Sequence, residues 1–151
     1  TFDMLADNGG KPACFLDVGG GATEKSVYEA LTLISKMKKV KAILVNLYGG
    51  IVKTTIVASA FIKAYDNKLI DLPVYTRLMG AESEKSKEML KDTKTKMFTS
   101  VEQAINGVVM EVTKTGWYFW IINREEECGR KLWKAAGYSS RHHGKIWFCA
   151  Y

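Results

Sequence analysis

The chain has 151 residues and a 47% apolar share, which suits one domain with a genuine core and an appendage. It contains no run of about 18 apolar residues, the minimum for a spanning helix, so no membrane partner is expected. The formal net charge of +6 is uneven: Lys and Arg number 15 against 13 Asp and Glu in residues 1–113, and 7 against 3 in residues 114–151. The body is therefore too nearly neutral to argue for nucleic acid.

The opening TFDMLADNGG has neither a basic start nor an apolar signal core, so no targeting segment is expected, and Thr1 in place of Met reads as a truncated or processed start. Cys14, Cys128 and Cys149 form no tight pattern, which suits a reducing interior, with an organelle matrix fitting equally well. Along the chain, Ala13–Val18 is a short apolar run ended by three glycines, and a helix follows over about residues 24–37, with Val27, Ala30, Leu31 and Ile34 on one face. Ala42–Leu47 is nearly continuously apolar, as a strand covered on both faces would be. The next helix spans Val52–Tyr65, Pro73 opens a strand over Val74–Leu78, and a polar helix covers Ala81–Lys91. Lys96–Thr99 reads as a short strand. Ser100 with Gln103 forms a capping box, and Val101, Ile105, Val108 and Val112 mark the buried face of the helix it opens.

Alternating strand and helix signals predict an α/β fold, a parallel sheet with helices on both faces. Ligands of such sheets bind beyond the carboxyl ends of the strands. Both glycine turns, Gly19–Gly21 and Gly49–Gly50, fall there, as does Met79–Gly80. A helix that starts behind small residues presents unpaired N–H groups and the positive end of its dipole, so a carboxylate or phosphate is the expected ligand. Residues 114–151 break the pattern and hold all four Trp and both His. Within them Trp117–Asn123 reads as a strand and Glu125–Ala136 as a short helix.

The motifs FLDVGGGATEKSVYEAL and AILVNLYGGIV are similar to the carboxy-terminal domain of the succinyl-CoA synthetase beta subunit. The likeness rests on Gly9–Gly10, Pro12–Ala13, Phe15–Asp17, Gly19–Gly21, Lys41–Ala42, Leu44–Asn46, Gly49–Ile51, Pro73–Val74 and Arg77–Leu78. It covers roughly residues 1–112. It implies a flavodoxin-like three-layer sandwich with a mostly parallel sheet over residues 1–113, followed by a non-family extension over residues 114–151. The strand and Asn-Gly turn that precede the Thr1 position in that family are absent, which leaves the sheet without its central first strand. Trp117–Asn123 is the expected filler of that gap. Lys53, Tyr75–Thr76 and a shortened strand near Met97 also depart from the family's pattern.

The resemblance further implies a role in nucleoside-triphosphate-dependent succinate–CoA ligation in the tricarboxylic acid cycle, by way of a phosphohistidine on an alpha subunit. The helix N-terminus facing that phosphohistidine is Gly49, Gly50, Ile51, Val52 and Lys53. Gly50, Ile51 and Val52, with Gly19, Gly20 and Gly21 beside them, hold succinate. No catalytic side chain is expected in this chain. No cofactor is expected on it either, because Mg2+, ATP or GTP, and CoA belong to the full enzyme. The alpha subunit and succinate are the expected partners, in the mitochondrial matrix of a eukaryote or otherwise the cytoplasm. The alternatives are a malate–CoA ligase beta subunit, or a catalytically incompetent paralogue or fragment acting as a binding module.

Several residues carry two readings. Either glycine turn can be no more than a tight connection. Lys53 either pairs with a bound phosphate or points to solvent, Asp17 either orients the first glycine turn or caps it locally, and Arg77 makes either a structural ion pair or a substrate contact. Cys128, His142, His143 and Cys149 have zinc-ligand chemistry without a zinc spacing, so no metal site is expected.

Overall fold

A computed structural model describes residues 1–17, 21–48, 52–114 and, for its backbone, 145–150. The elements are α1 (Phe2–Asp7), β1 (Cys14–Asp17), α2 (Glu24–Ser35), β2 (Ile43–Tyr48), α3 (Thr54–Asp66), β3 (Val74–Met79), α4 (Ser83–Met89), β4 (Thr95–Met97), α5 (Val101–Lys114) and β5 (Lys145–Ala150). Every strand and helix expected within residues 13–113 is present, with ends moved by a few residues. The Trp117–Asn123 and Glu125–Ala136 expectations lie outside the described residues.

Local chemistry sets the ends. Thr23 Oγ1 accepts from the Ser26 N–H at 3.1 Å and Ser26 Oγ accepts from the Thr23 N–H at 2.9 Å, a closed capping box at the start of α2. At α5, Ser100 Oγ accepts from the Gln103 N–H as expected, but Gln103 Oε1 accepts from Thr99 Oγ1. The helix α1 escaped the sequence reading because six residues are too few to show a period. It stops on a left-handed glycine: Gly9 has φ +79°, its N–H donates to Ala6 O, and the Gly10 N–H donates to Leu5 O.

The sheet order is β1-β5-β2-β3-β4. The strands β2, β3 and β4 are parallel neighbours. The connection from β1 through α2 to β2 skips one lane, the lane of the expected missing strand. Residues 145–150 occupy it, antiparallel to both neighbours, so the gap is filled by β5 and not, as expected, by Trp117–Asn123. One face of the sheet packs on α2 and α3 through Val27, Leu31, Ile34, Val45, Leu47, Val57 and Phe61. The other packs on α1 and α5 through Leu5, Leu44, Tyr75, Ala104, Ile105 and Val108. This is the three-layer α/β arrangement. Each large side chain fully buried in these layers contributes about 1.5–3 kcal/mol. Two clamps tie helices to neighbours: Lys63 of α3 bonds Glu24 at 3.1 Å over the Tyr28 ring, and Tyr75 OH donates to Glu111 of α5 while accepting from Lys96, both at 2.9 Å. No helix among the described residues is long and apolar enough to cross a membrane.

Two stability measurements follow. Thr76 is fully buried in β3 and its hydroxyl has no hydrogen-bond partner. Thr76→Val removes that orphan and is expected to stabilise the fold by about 1 kcal/mol, read as a higher urea midpoint; a lower midpoint would show the hydroxyl to be satisfied. Phe148 pairs with Leu16 on one side and Val45 on the other. Phe148→Pro, which removes a ladder donor and leaves an acceptor unpaired, is expected to cost at least about 1–3 kcal/mol. An unchanged midpoint would place β5 outside the sheet.

Candidate functional site

The carboxyl ends of β1, β2 and β3, at Asp17, Tyr48 and Met79, lie along one edge of the sheet, and α2, α3 and α4 begin behind that edge. Of the residues expected to form the site, Gly19, Gly20, Gly49, Gly50 and Ile51 lie outside the described residues. Gly21 is exposed, and a Cβ placed on it meets nothing within 4 Å, so open space lies beside the first turn. Val52 is buried, and Lys53 takes the N-cap position of α3 in extended conformation.

The two helix starts behind the glycine turns differ. The start of α2 is closed by its own Thr23–Ser26 box. The start of α3 has no side-chain cap, because a lysine N-cap offers no acceptor. Its first turn is instead tied to the β3–α4 turn. The Thr54 N–H and Oγ1 both donate to Ala81 O, at 3.2 and 2.9 Å, and Ser86 Oγ donates to Thr54 Oγ1 at 2.7 Å. Thr55 Oγ1 donates to Glu82 Oε2 at 2.7 Å, and Lys53 Nζ bonds Glu82 Oε1 at 2.8 Å. Gly80 (φ 149°) and Glu82 (φ 68°) both sit where L side chains are rare, and together they turn the chain so that the Glu82 carboxylate faces α3. An acid at this position also complements the positive end of the α3 dipole.

This ion pair shifts both of its members. The hydrogen bond and charge of Glu82 raise the Lys53 pKa, and the Lys53 and Thr55 hydrogen bonds lower that of Glu82. Lys53 thus neither points freely to solvent nor waits unpaired. Sequence reasoning missed Glu82, because its partners lie about 27 residues away. Paired Thr54–Thr55 at a helix start was the one local signal.

Arg77, at the same edge, donates to Asn46 Oδ1 at 3.3 Å and to Met79 Sδ at 2.9 Å, and its guanidinium lies 5.2 Å from the centre of the exposed Tyr48 ring. Its Nε is buried without a partner, and among the described residues it makes no ion pair. Asn46 in turn donates to Thr1 Oγ1 at 2.9 Å, which ties the start of α1 to this edge. Asp17 is half-buried as the last residue of β1. Among the described residues no three His, Cys, Asp or Glu converge as metal ligands. Cys128, His142 and His143 lie outside those residues, and Cys149 is placed only as a strand position opposite Phe15 and Leu44.

Among its described residues the edge therefore offers a helix start without a side-chain cap, a lysine whose charge is shared with one glutamate, and an arginine held by neutral groups.

The family model described as CoA-ligase matches residues 1–109. The hydrogenosomal succinate–CoA ligase (ADP-forming) beta subunit of Neocallimastix frontalis is 41% identical over 118 residues, which is 77% of this chain and 27% of that protein. The mitochondrial counterpart of Dictyostelium discoideum is 47% identical over 93 residues, 62% of this chain and 21% of its own. A beta subunit of Francisella tularensis is 46% identical over 97 residues, 64% and 25%. The chain spans about a quarter of the length of the curated relatives it matches.

The Lys53–Glu82 pair has a pH signature. Because the folded-state pKa of Glu82 is depressed, its contribution to stability is present above the ordinary glutamate pKa and is lost as pH falls through the folded value. In Lys53→Ala the Glu82 carboxyl midpoint, followed by carbon NMR, is expected to rise toward the ordinary glutamate value. An unmoved midpoint would contradict the pairing.

Proposed function

The chain belongs to the CoA-ligase family, and on that premise we propose that residues 1–113 are the CoA-ligase-type part of a succinate–CoA ligase beta subunit. On this reading the chain helps bind succinate and presents the start of α3 to a phosphohistidine on an alpha subunit. Residues 114–151 are an extension appended to that part. The supporting observation is the uncapped N-terminus of α3 behind Gly49–Gly50, at the edge where such sheets take ligands.

The chemistry asked of this chain is electrostatic. Backbone N–H groups around Gly50, Ile51, Val52 and Lys53 hold the anion, and the α3 dipole stabilises it. Gly19, Gly20 and Gly21 keep side chains away from the neighbouring carboxylate. Glycine at positions 49 and 50 suits a turn whose backbone is to approach a bound group closely. Lys53 offsets charge on the incoming phosphoryl group, at the expense of its bond to Glu82. Residues 1–113 contain no histidine, so the phosphorylated residue comes from the partner. The overall reaction joins succinate and CoA while a nucleoside triphosphate goes to its diphosphate and phosphate. No carboxylate set for Mg2+ is found among the described residues. On this reading the metal, the nucleotide and CoA are bound by other parts of the full enzyme. The compartment is a mitochondrial matrix in a eukaryote and the cytoplasm otherwise.

The test is substitution within a whole enzyme. Residues 1–113 replace the corresponding segment of a relative's beta subunit, and the hybrid is assembled with its alpha subunit. Gly50→Val is expected to lower succinyl-CoA formation by about 100-fold or more, the usual cost of losing a backbone anion site. Unimpaired turnover would remove the role of that turn. A second reading is that the chain acts as a binding module for an alpha subunit without turnover. Titration of the chain with an alpha subunit separates the two, since turnover with alpha alone excludes a pure binding module.

A further inference from the structure

The sequence contains two Asn-Gly dipeptides, Asn8–Gly9 and Asn106–Gly107, and the fold holds them differently. Asn-Gly is open to succinimide chemistry, because glycine has no side chain to hinder attack of its own nitrogen on the asparagine side chain. Asn8 is exposed and is the C-cap of α1, a helix of 6 residues. Asn106 is also exposed, but it lies inside α5, a helix of 14 residues. A Cβ on Gly107 would sit 3.0 Å from Phe98 Cζ and 3.1 Å from the Tyr75 ring, so that glycine is packed against the core. A Cβ on Gly9 meets nothing within 4 Å.

Three hydrogen bonds hold the first site closed. The Asn8 side-chain amide donates to Met4 O at 2.6 Å, the Gly9 N–H to Ala6 O at 2.9 Å and the Gly10 N–H to Leu5 O at 3.0 Å. Ring closure brings the Gly9 nitrogen into line with Asn8 Cβ, so the Asn8 ψ of 14° must first change. All three bonds belong to the end of one short helix, and a helix end opens at far smaller cost than the whole fold. The Asn106 site has no such local opening, because its backbone is held by helix on both sides.

We propose that Asn8 is a self-modification site, whose deamidation is gated by opening of the α1 end and loosens α1 on the sheet. The Gly9 nitrogen gives up its proton to water and bonds to Asn8 Cγ, and the side-chain nitrogen leaves as ammonia. Water then opens the cyclic succinimide at one of its two carbonyls, giving aspartate or isoaspartate. The net change is one amide and one water to one acid and one ammonia, with no oxidant or cofactor. Aspartate at position 8 places negative charge at the negative end of the α1 dipole and loses the donor to Met4 O. Isoaspartate adds a methylene to the main chain, which displaces the Gly9 and Gly10 N–H groups from Ala6 O and Leu5 O. Either product weakens the stop of the helix that carries Leu5 into the core beside Leu44, Tyr75 and Ile105.

The test incubates the full 151-residue chain in neutral buffer, with and without denaturing urea. Peptide mass spectrometry reads the exchange of amide for acid at each site. In buffer Asn8 is expected to convert at least about tenfold faster than Asn106, because the helix end opens without global unfolding. In urea the two rates are expected to converge. Equal rates in buffer, or conversion of Asn8 only in urea, overturn the gated site. Asn8→Asp is expected to speed hydrogen exchange at the Gly9 and Gly10 amides severalfold while the amides of β2 and β3 stay protected. Unchanged exchange at Gly9 and Gly10 overturns the consequence for α1, and the rates in the wild-type chain stand independently of whether that variant folds.

Discussion

An α/β sheet cannot hold an empty lane between two of its strands. Each flanking strand would present a row of unpaired N–H and C=O groups inside the protein, and buried backbone groups are almost always paired. Here β1 and β2 are joined through α2 in a way that leaves one lane open between them, and β5 closes it with a ladder on each side. The separation of β1 and β2 is set by the width of that inserted strand. The packing of α2 and α3 on one face and of α1 and α5 on the other presupposes a continuous sheet beneath them.

The same requirement to satisfy polar groups shapes the ligand edge. A helix begins with N–H groups that have no internal partners. The start of α2 resolves this locally through Thr23 and Ser26. The start of α3 resolves it in part at long range, where the Thr54 N–H donates to Ala81 O. A helix start closed by its own side chains has little left for a ligand. The start of α3, with no side-chain cap, is the more open of the two.

The tail strand joins these two constraints. It fills the lane that the backbone requires, and because it runs in reverse it enters at the edge where ligands of such sheets bind. The central lane is thus supplied from the carboxyl-terminal side in the opposite sense. Its antiparallel ladder needs no crossover helix.

Much of this was legible in the sequence. The 3.6-residue spacing of Val27, Ala30, Leu31 and Ile34, the continuous apolar run of β2, and the placement of every glycine turn after a strand are local properties. They fixed element types and put the turns on one edge, as the motifs fixed the family. Two features were not local. Trp117–Asn123 and Lys145–Ala150 are both apolar runs, and nothing in their own residues says which one pairs, or in which direction; that depends on a lane between strands about a hundred residues away in the chain. Nor does any nearby residue announce that Glu82 faces Lys53 and Thr55, since the contact exists only once Gly80 turns the chain back over α3. Sequence periodicity reports how a segment buries its own face. Which distant backbone or charge satisfies what remains is decided by the tertiary fold, because hydrogen bonds and ion pairs form wherever folding brings donor and acceptor together.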